Sequence, residues 1–211
     1  TRLSRGLGDV YKRQMLHGAA FRIDQQSVAV TSSTFIGNIG LNGTDSSCTV
    51  HLEDCTDCRL EDVTLEDADT HYGIELERGE GITLDGVDVV GGEVGVYLEY
   101  IDSAAISDLS VSESRDHALR LYEVGTLTVE QSFLGGGLWE TEAVKSDTVD
   151  AVTLSGVTLG GTVYAGSSAT IAGTDITTTH GLEHDLLTPD AAYSLDGHTA
   201  FSCSAGTCAI P

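Results

Sequence analysis

Apolar residues recur at regular intervals along most of the chain. Each of seven apolar anchors is followed five residues later by a second apolar residue. Small or polar residues often come directly after the anchor, as in Asp85-Gly86 and Ser155-Gly156, which is typical of a corner between two short strands. The anchors are Val30, Leu60, Leu84, Ile106, Val129, Leu154 and Ile171, and their partners are Phe35, Leu65, Val89, Val111, Leu134, Leu159 and Ile176.

A second apolar pattern precedes four of the anchors by eight residues. Its positions alternate with other residues, and this period of two predicts strands. They are Leu52, Leu76, Leu98 and Leu121, with Val50, Ile74, Val96 and Leu119 two positions earlier. The sequence therefore predicts an all-β solenoid, a parallel β-helix with three short strands per turn and about six to seven rungs, in which each strand pairs with its copy one turn on.

Two stretches carry the clearest copies of this repeat. They are HYGIELERGEGITLDGVDVVGG at 71–92 and VGVYLEYIDSAAISDLSVSES at 94–114. The sequence resembles the right-handed parallel β-helix family, the pectin lyase-like superfamily, from about Val28 to Thr179. This resemblance implies the right-handed fold but no particular reaction, since the scaffold carries lyases, hydrolases, epimerases and adhesins.

The first 14 residues differ in composition from the rest. Thr1–Gln14 carries four of the ten basic residues and one acidic residue. It resembles a leader found at the ends of unrelated reading frames in metagenome assemblies, where adaptor sequence is translated with the gene, so we exclude it from the fold. The alternative is a basic arm that contacts an anionic partner. We expect a leader at 1–14, the parallel β-helix at 15–179 and a C-terminal cap at 180–211, with the true N-terminal sequence missing.

The charge of the chain narrows the choice of partners. Its 33 acidic and 10 basic residues give a net charge of −23. This charge repels nucleic acids and anionic membrane surfaces. No apolar run approaches the length of about 18 residues that a membrane span needs. We therefore expect neither nucleic acid nor a membrane span, and a polysaccharide or a cell-surface glycan is the candidate partner.

Alternation along the first strand of each rung predicts four outward columns of residues. The small second column would form the floor of a shallow groove suited to a sugar chain, although a solvated sheet face would show the same alternation. The columns are Ser47/His71/Glu93/Asp116, Thr49/Gly73/Gly95/Ala118, His51/Glu75/Tyr97/Arg120 and Glu53/Glu77/Glu99/Tyr122. The predicted carbohydrate-binding residues are His51, His71, Glu75, Glu93, Tyr97, Asp116, Arg120 and Tyr122.

A catalytic site on the same face would use paired carboxylates. Glu75 and Glu77 are two positions apart on one strand, a spacing compatible with acid and base roles, with His71 or Arg120 as an alternative base. The closely spaced aspartates and Gly-His-Gly of the family's hydrolases are absent. The hypothesis is thus a noncatalytic extracellular or cell-surface module that binds glycan or serves as a spacer. The alternative is a fragment of a polysaccharide lyase or glycosidase.

The column Glu53, Glu77 and Glu99 places carboxylates on three successive rungs. Like charges directly opposite each other destabilise a sheet, and a bound calcium ion would relieve them. The alternative is that these side chains extend into water, where salt screens them. Calcium is the only cofactor that the pattern suggests.

The five cysteines comprise two closely spaced pairs and Cys48. Cys55 and Cys58 form a C-x-x-C pair, which suggests redox or zinc chemistry, but their register stacks them on core positions. The column of Cys48 and His117 is expected to face inward, with a structural role for the histidine. Cys203 and Cys208 enclose four residues of the polar C-terminal segment, and we predict a disulfide between them. A disulfide is typical of an oxidising compartment, which favours an extracellular or cell-surface location.

Overall fold

The computed structural model describes residues 21–24, 27–37, 47–135, 142–165, 170–178, 192–196, 202–204 and 207–209. Its strands are β1 (Phe21–Asp24), β2 (Ala29–Ile36), β3 (Cys48–Thr56), β4 (Arg59–Ala68), β5 (Tyr72–Glu80), β6 (Ile82–Asp85), β7 (Asp88–Gly91), β8 (Val94–Ser107), β9 (Ser110–Ser112), β10 (His117–Glu130), β11 (Phe133–Leu134), β12 (Glu142–Ser155), β13 (Thr158–Leu159), β14 (Thr162–Ala165), β15 (Thr170–Thr174), β16 (Thr177–Thr178), β17 (Ala192–Asp196), β18 (Ser202–Ser204) and β19 (Thr207–Ala209). The predicted fold class, an all-β solenoid of stacked parallel strands, is confirmed.

Parallel strands stack on three faces of the helix. In the described part of the chain, the first face stacks β1, β3, β5, the first parts of β8, β10 and β12, and β14. The second face runs through β2, β4, β6, the later parts of the three long strands, β15 and β17. The third face holds the short strands that follow each corner, such as β7, β9 and β11. The parallel stack thus continues through β17, inside the segment expected to form the cap.

The corner between the first and second faces is built the same way on successive rungs. One residue at each corner has a positive φ: Asp54 (53°), Arg78 (54°), Tyr100 (55°), Glu123 (50°) and Thr148 (58°). A single left-handed residue turns the chain while the flanking strands stay paired, which is why β8, β10 and β12 run across the corner as 14-residue strands. The corner side chains point away from the core, and most are exposed.

The core consists of stacked apolar columns, as the spacing of the anchors predicts. Leu52, Leu76, Leu98 and Leu121 are each at most 1% exposed and are paired in register. The anchors pair in register from Val30 to Leu154. The seventh does not, because Ile171 lies opposite Val152 and Gly173 lies opposite Leu154. A shift of two residues keeps every side chain on the same face, so the hydrophobic pattern could not detect it.

The small column is buried in the core and cannot form the floor of a groove. Ala118 and Leu119, adjacent in sequence, both belong to the main core. A methyl group added to Gly73 would lie 2.8 Å from Cγ1 of Val89, a core residue of the third face. The predicted groove floor is therefore wrong. Strict alternation fails here because two consecutive residues at the start of each first-face strand face inward.

This break in alternation moves the preceding column to the outside. Cys48, Tyr72 and Val94 form a separate buried cluster with Tyr97 rather than joining the main core. His117 pairs in register with Val94 and belongs to the same column. The predicted inward orientation of this column is therefore wrong. Its residues are buried on the outer side of the first face, beside the predicted ligand-binding columns.

Candidate functional site

The centre of the candidate site is His51 on β3. Its column runs through Glu75, Tyr97 and Arg120 on the next three rungs, as predicted. His51 and Glu75 are each only 8% exposed, although both project from the outer side of the sheet. His51 Nδ1 lies 2.9 Å from Glu75 Oε2, a hydrogen-bond distance. A carboxylate thus fixes one side of the imidazole ring.

The other ring nitrogen of His51 faces two more carboxylates. Nε2 lies 3.6 Å from Glu53 Oε2 and 4.0 Å from Glu77 Oε2. Both distances are too long for a hydrogen bond. Among the described residues, this buried nitrogen has no hydrogen-bond partner. A buried polar atom without a hydrogen-bond partner lowers the stability of the folded state, and native structures contain few such atoms.

Arg78, at the corner after β5, holds the two glutamates in place. Its Nη2 contacts Oε1 of Glu53, its Nη1 contacts Oε1 of Glu77, and its Nε lies 2.9 Å from Asp54 Oδ1. The guanidinium therefore contacts the Oε1 atom of each glutamate, while the Oε2 atoms point toward His51 Nε2. The outward register of Glu53, Glu77 and Glu99 agrees with the sequence prediction.

The carboxylates of this cluster repel each other. Desolvation raises the pKa of Glu77 above its usual value, and the neighbouring charges of Glu99 and Glu75 raise it further. Arg78 supplies a single positive charge to Glu53, Glu77 and Asp54. A cation bound near His51 Nε2 would therefore find excess negative charge.

A thiol lies on the Nδ1 side of the ring. Cys48 is in the thiol form, is 2% exposed, and places Sγ 3.7 Å from His51 Nδ1. Two groups of potential metal ligands thus share one imidazole: Cys48, His51 and Glu75 on one side, and His51, Glu53 and Glu77 on the other. Within each group the ligand atoms lie within 4.8 Å of one another.

Aromatic side chains border the site on the later rungs. The rings of Tyr72 and Tyr97 stack with centroids 4.8 Å apart, and the guanidinium of Arg120 lies 5.3 Å from the Tyr97 ring centre. Tyr97 is 7% exposed, and burial together with the carboxylate of Glu99 raises the pKa of its phenol. These rings shield the thiol side of the site from water.

The other predicted ligand-binding residues lie outside this cluster. His71 Nδ1 contacts Glu93 Oε2, and Arg115 Nη1 lies 3.6 Å from the other oxygen of Glu93. Asp116 is half-buried on the same column, and Tyr122 packs against the outer cluster of Cys48 and Tyr72. The eight residues predicted to bind carbohydrate are thus split between a buried centre and a half-exposed margin.

The residues considered for catalysis are also separated. Glu75 binds His51, whereas Glu77 binds Arg78. His71 pairs with Glu93, and Arg120 lies over Tyr97. A catalytic role for these four residues stays a prediction.

Sequence reasoning places Cys48 wrongly and identifies Arg78 only as a cation next to Glu77, without its contacts. Strand alternation gives no position for Arg78, and it places Cys48 on the inward side. The signal for Cys48 is its spacing of three residues from His51, which becomes informative only once both are known to lie on the outer side.

The cysteines form one disulfide among the side chains described. Cys55 and Cys58 are bonded to each other and are 2% and 0% exposed, so their predicted core position is confirmed and their pairing is new. Cys203 lies opposite Cys208 in the antiparallel ladder of β18 and β19. The side chains of that pair lie outside the described set, and their disulfide stays a prediction, as does the exclusion of 1–14.

Comparison with known proteins connects this geometry to a family. The family model described as "Periplasmic copper-binding protein (NosD)" matches residues 11–134, which is more than half of the chain. The chain belongs to this family. NosD proteins are a right-handed β-helix family, which agrees with the fold observed here. The family description names copper, whereas the acidic column suggested calcium.

Other comparisons add little. No curated protein matches the sequence. Among solved structures, the chain is similar to a trypsin-treated variant of QnrB1, a plasmid-mediated fluoroquinolone resistance protein, at 15% identity and a TM-score of 0.28, covering 86% of this chain and 92% of that one. A similarity at that TM-score supports no conclusion. Within the described residues, no helix is long and apolar enough to cross a membrane.

Proposed function

We propose that this NosD-family chain is a copper-binding β-helix module that works outside the cytoplasm, with His51 as its central ligand. One observation carries the proposal: the buried Nε2 of His51 has no hydrogen-bond partner among the described residues and faces two carboxylates. Histidine is the commonest metal ligand in proteins, and carboxylate oxygens are common companions of imidazole in such sites.

The donor atoms fit copper in its oxidised form. Imidazole nitrogen and carboxylate oxygen are ligands that Cu(II) accepts. Glu53 and Glu77 would supply the oxygens and His51 the nitrogen. Glu75 would act behind them, since a carboxylate on the second ring nitrogen of a metal-binding histidine fixes its tautomer and increases its basicity.

The rest of the molecule supports this role. A net charge of −23 concentrates cations near the surface. The description of the family places its members in the periplasm, which supports the predicted location outside the cytoplasm. A rigid stack of paired strands holds ligands from two rungs in fixed positions, as tight metal binding requires.

Copper titration of single variants tests the proposal. Isothermal titration of the full chain with Cu(II) should show a site that His51→Gln weakens by about tenfold or more. The electron paramagnetic resonance spectrum of that site should show nitrogen coupling, and His51→Gln should remove it.

His71→Gln is the matched control, because His71 also lies on the first face and also contacts a glutamate. It should leave the affinity within about twofold. The opposite pattern, in which His71→Gln abolishes the site and His51→Gln leaves it intact, would overturn the proposal.

Glycan binding is the second candidate, and an exposed aromatic pair favours it. Tyr100 is 42% exposed and contacts the Tyr122 ring edge to face, with centroids 5.6 Å apart. A shallow depression beside Tyr100 is lined by Asp54, Thr56, Arg78, Glu80 and Asp102. Aromatic faces and polar side chains together suit the two sides of a sugar ring. Because most of the charged groups are acidic, a neutral oligosaccharide fits better than a uronate.

The two candidate sites share Arg78, but Tyr100 belongs only to the second, so the two can be tested separately. Tyr100→Ala should abolish chemical-shift changes on titration with neutral oligosaccharides and leave copper affinity unchanged. Identical oligosaccharide binding by the unmodified protein and by Tyr100→Ala would remove the aromatic pair from consideration.

A further inference from the structure

We infer that His51 offers copper two alternative positions, one at each ring nitrogen, which differ in the oxidation state that they select. The carboxylate side, with Glu53 and Glu77 facing Nε2, takes Cu(II). The thiol side, with Cys48 and Glu75 at Nδ1, takes Cu(I). This inference rests on the proposed copper function and specifies which ligands serve each form of the metal.

Two features bring the thiol-side ligands together: the pairing of β3 with β5, and the break in alternation that places Cys48 on the outer side of the sheet. Cys48 begins β3 and His51 follows three residues later, while Glu75 lies directly opposite His51 on β5. His51 Nδ1 is 3.7 Å from Cys48 Sγ and 2.9 Å from Glu75 Oε2. All three residues are at least nine-tenths buried. A sulfur, a nitrogen and an oxygen therefore converge in a site from which most water is excluded.

Ligand chemistry separates the two sides. Thiolate sulfur is a soft ligand that selects Cu(I), whereas a set of nitrogen and carboxylate oxygen suits Cu(II). The one soft donor, the sulfur of Cys48, lies on the Nδ1 side only, and the Nε2 side offers carboxylate oxygens alone.

The imidazole makes the two positions mutually exclusive. A neutral imidazole carries one N–H, and only the other nitrogen can bind a metal. When Nδ1 holds the proton and donates it to Glu75, Nε2 is the ligand that faces Glu53 and Glu77. When Nε2 holds the proton, on the side that faces Glu53 and Glu77, Nδ1 is the ligand beside Cys48.

Copper binding on the thiol side releases one proton and moves another. Cys48 must give up its thiol proton, because the thiolate is the form that binds a metal. That proton leaves to solvent, and the imidazole proton moves from Nδ1 to Nε2. Neither ligand is oxidised or reduced, and copper is supplied in each oxidation state separately.

The test measures affinity for both oxidation states in the full chain. Cu(I) affinity is measured without oxygen, by competition with a coloured Cu(I) chelator and without thiol reductants. Cu(II) affinity is measured by calorimetry. Cys48→Ser should lower Cu(I) affinity by about tenfold or more and leave Cu(II) affinity within about twofold. Glu77→Gln should do the reverse, and His51→Gln should weaken both.

Controls separate this site from the other cysteines and from misfolding. A Cys203→Ser/Cys208→Ser variant should keep the Cu(I) affinity of the unmodified protein. X-ray absorption of the Cu(I) form should show one sulfur neighbour, which Cys48→Ser removes. Circular dichroism of each variant should match that of the unmodified protein, and Cys48→Ala serves as a second variant if the serine variant unfolds.

The outcomes distinguish two failures. If Cu(II) binding depends on His51 but both Cys48 variants bind Cu(I) normally, the two-position inference is wrong and the proposed function stands. If no copper binding in either state depends on His51, the proposed function fails as well. Simultaneous binding of one Cu(I) and one Cu(II) with full occupancy at His51 would contradict mutual exclusion.

Discussion

The stability of a Gly95→Ala variant tests whether the column of small residues that contains Gly73, Gly95 and Ala118 faces the core or the solvent. Gly95 lies on the first face, and its φ is in the range that alanine adopts readily. A methyl group there would lie 2.8 Å from the carbonyl oxygen of Ala118 and would also meet Cγ1 of Val111, both nearer than the contact distance of about 3.5 Å.

The expected cost follows from these overlaps. Adding a methyl group to a packed core costs about 1–3 kcal/mol. In a chain of this size each kcal/mol lowers the melting temperature by about 2–4 °C, so we expect a decrease of about 2–12 °C. If the column faced solvent, alanine would instead stabilise the protein by about 0.4–1 kcal/mol, because it restricts the unfolded chain. The two orientations therefore predict opposite signs.

Denaturant melts of two single variants and their combination provide the assay. Val111→Ala removes the side chain that the new methyl group would strike. The double variant should therefore be more stable than the sum of the two single effects predicts, by about 0.5–3 kcal/mol. A Gly95→Ala protein as stable as the unmodified one, with additive behaviour in the double variant, would refute the inward orientation.

Three further predictions concern charge and cross-links. Glu75→Gln should weaken Cu(II) binding by about 10–100-fold in calorimetry, with an unchanged circular dichroism spectrum, and an unaltered affinity would exclude a role behind His51. Raising the salt concentration from about 0.01 M to 1 M shortens the screening length from about 30 Å to 3 Å, so the melting temperature of a chain with net charge −23 should increase, and a decrease would contradict the self-repulsion. Mass spectrometry of the nonreduced protein should find Cys203 linked to Cys208, and two alkylated thiols would remove that argument for an oxidising compartment.

The fold was predictable because a solenoid repeats its pattern on every rung. Each anchor from Val30 to Leu154 carries the same spacing to its partner, and the structure pairs them in register. The spacing misplaces the last copy by two residues, since Ile171 pairs with Val152. Spacing of apolar residues fixes the face on which a side chain lies but leaves shifts of two residues undetermined.

The site was only partly predictable, for two physical reasons. The outward register of His51 with Glu75 and of Glu53 with Glu77 follows from alternation, and both are confirmed. Alternation fails before His51, where two consecutive residues point inward, so it places Cys48 on the wrong side. Arg78 occupies a corner with positive φ, and the alternation of strand residues does not predict the direction of a corner side chain.

The ligands on both sides of His51 come from two adjacent rungs, within the stretch from Cys48 to Arg78. The next two pairs of neighbouring rungs on the first face, β5 with β8 and β8 with β10, offer the same paired backbone positions. The arrangement therefore does not depend on a feature unique to these two rungs. Copying its few side chains onto the matching positions of any regular parallel β-helix should transfer the site, and a duplicated repeat would give one protein two copies without changing its fold.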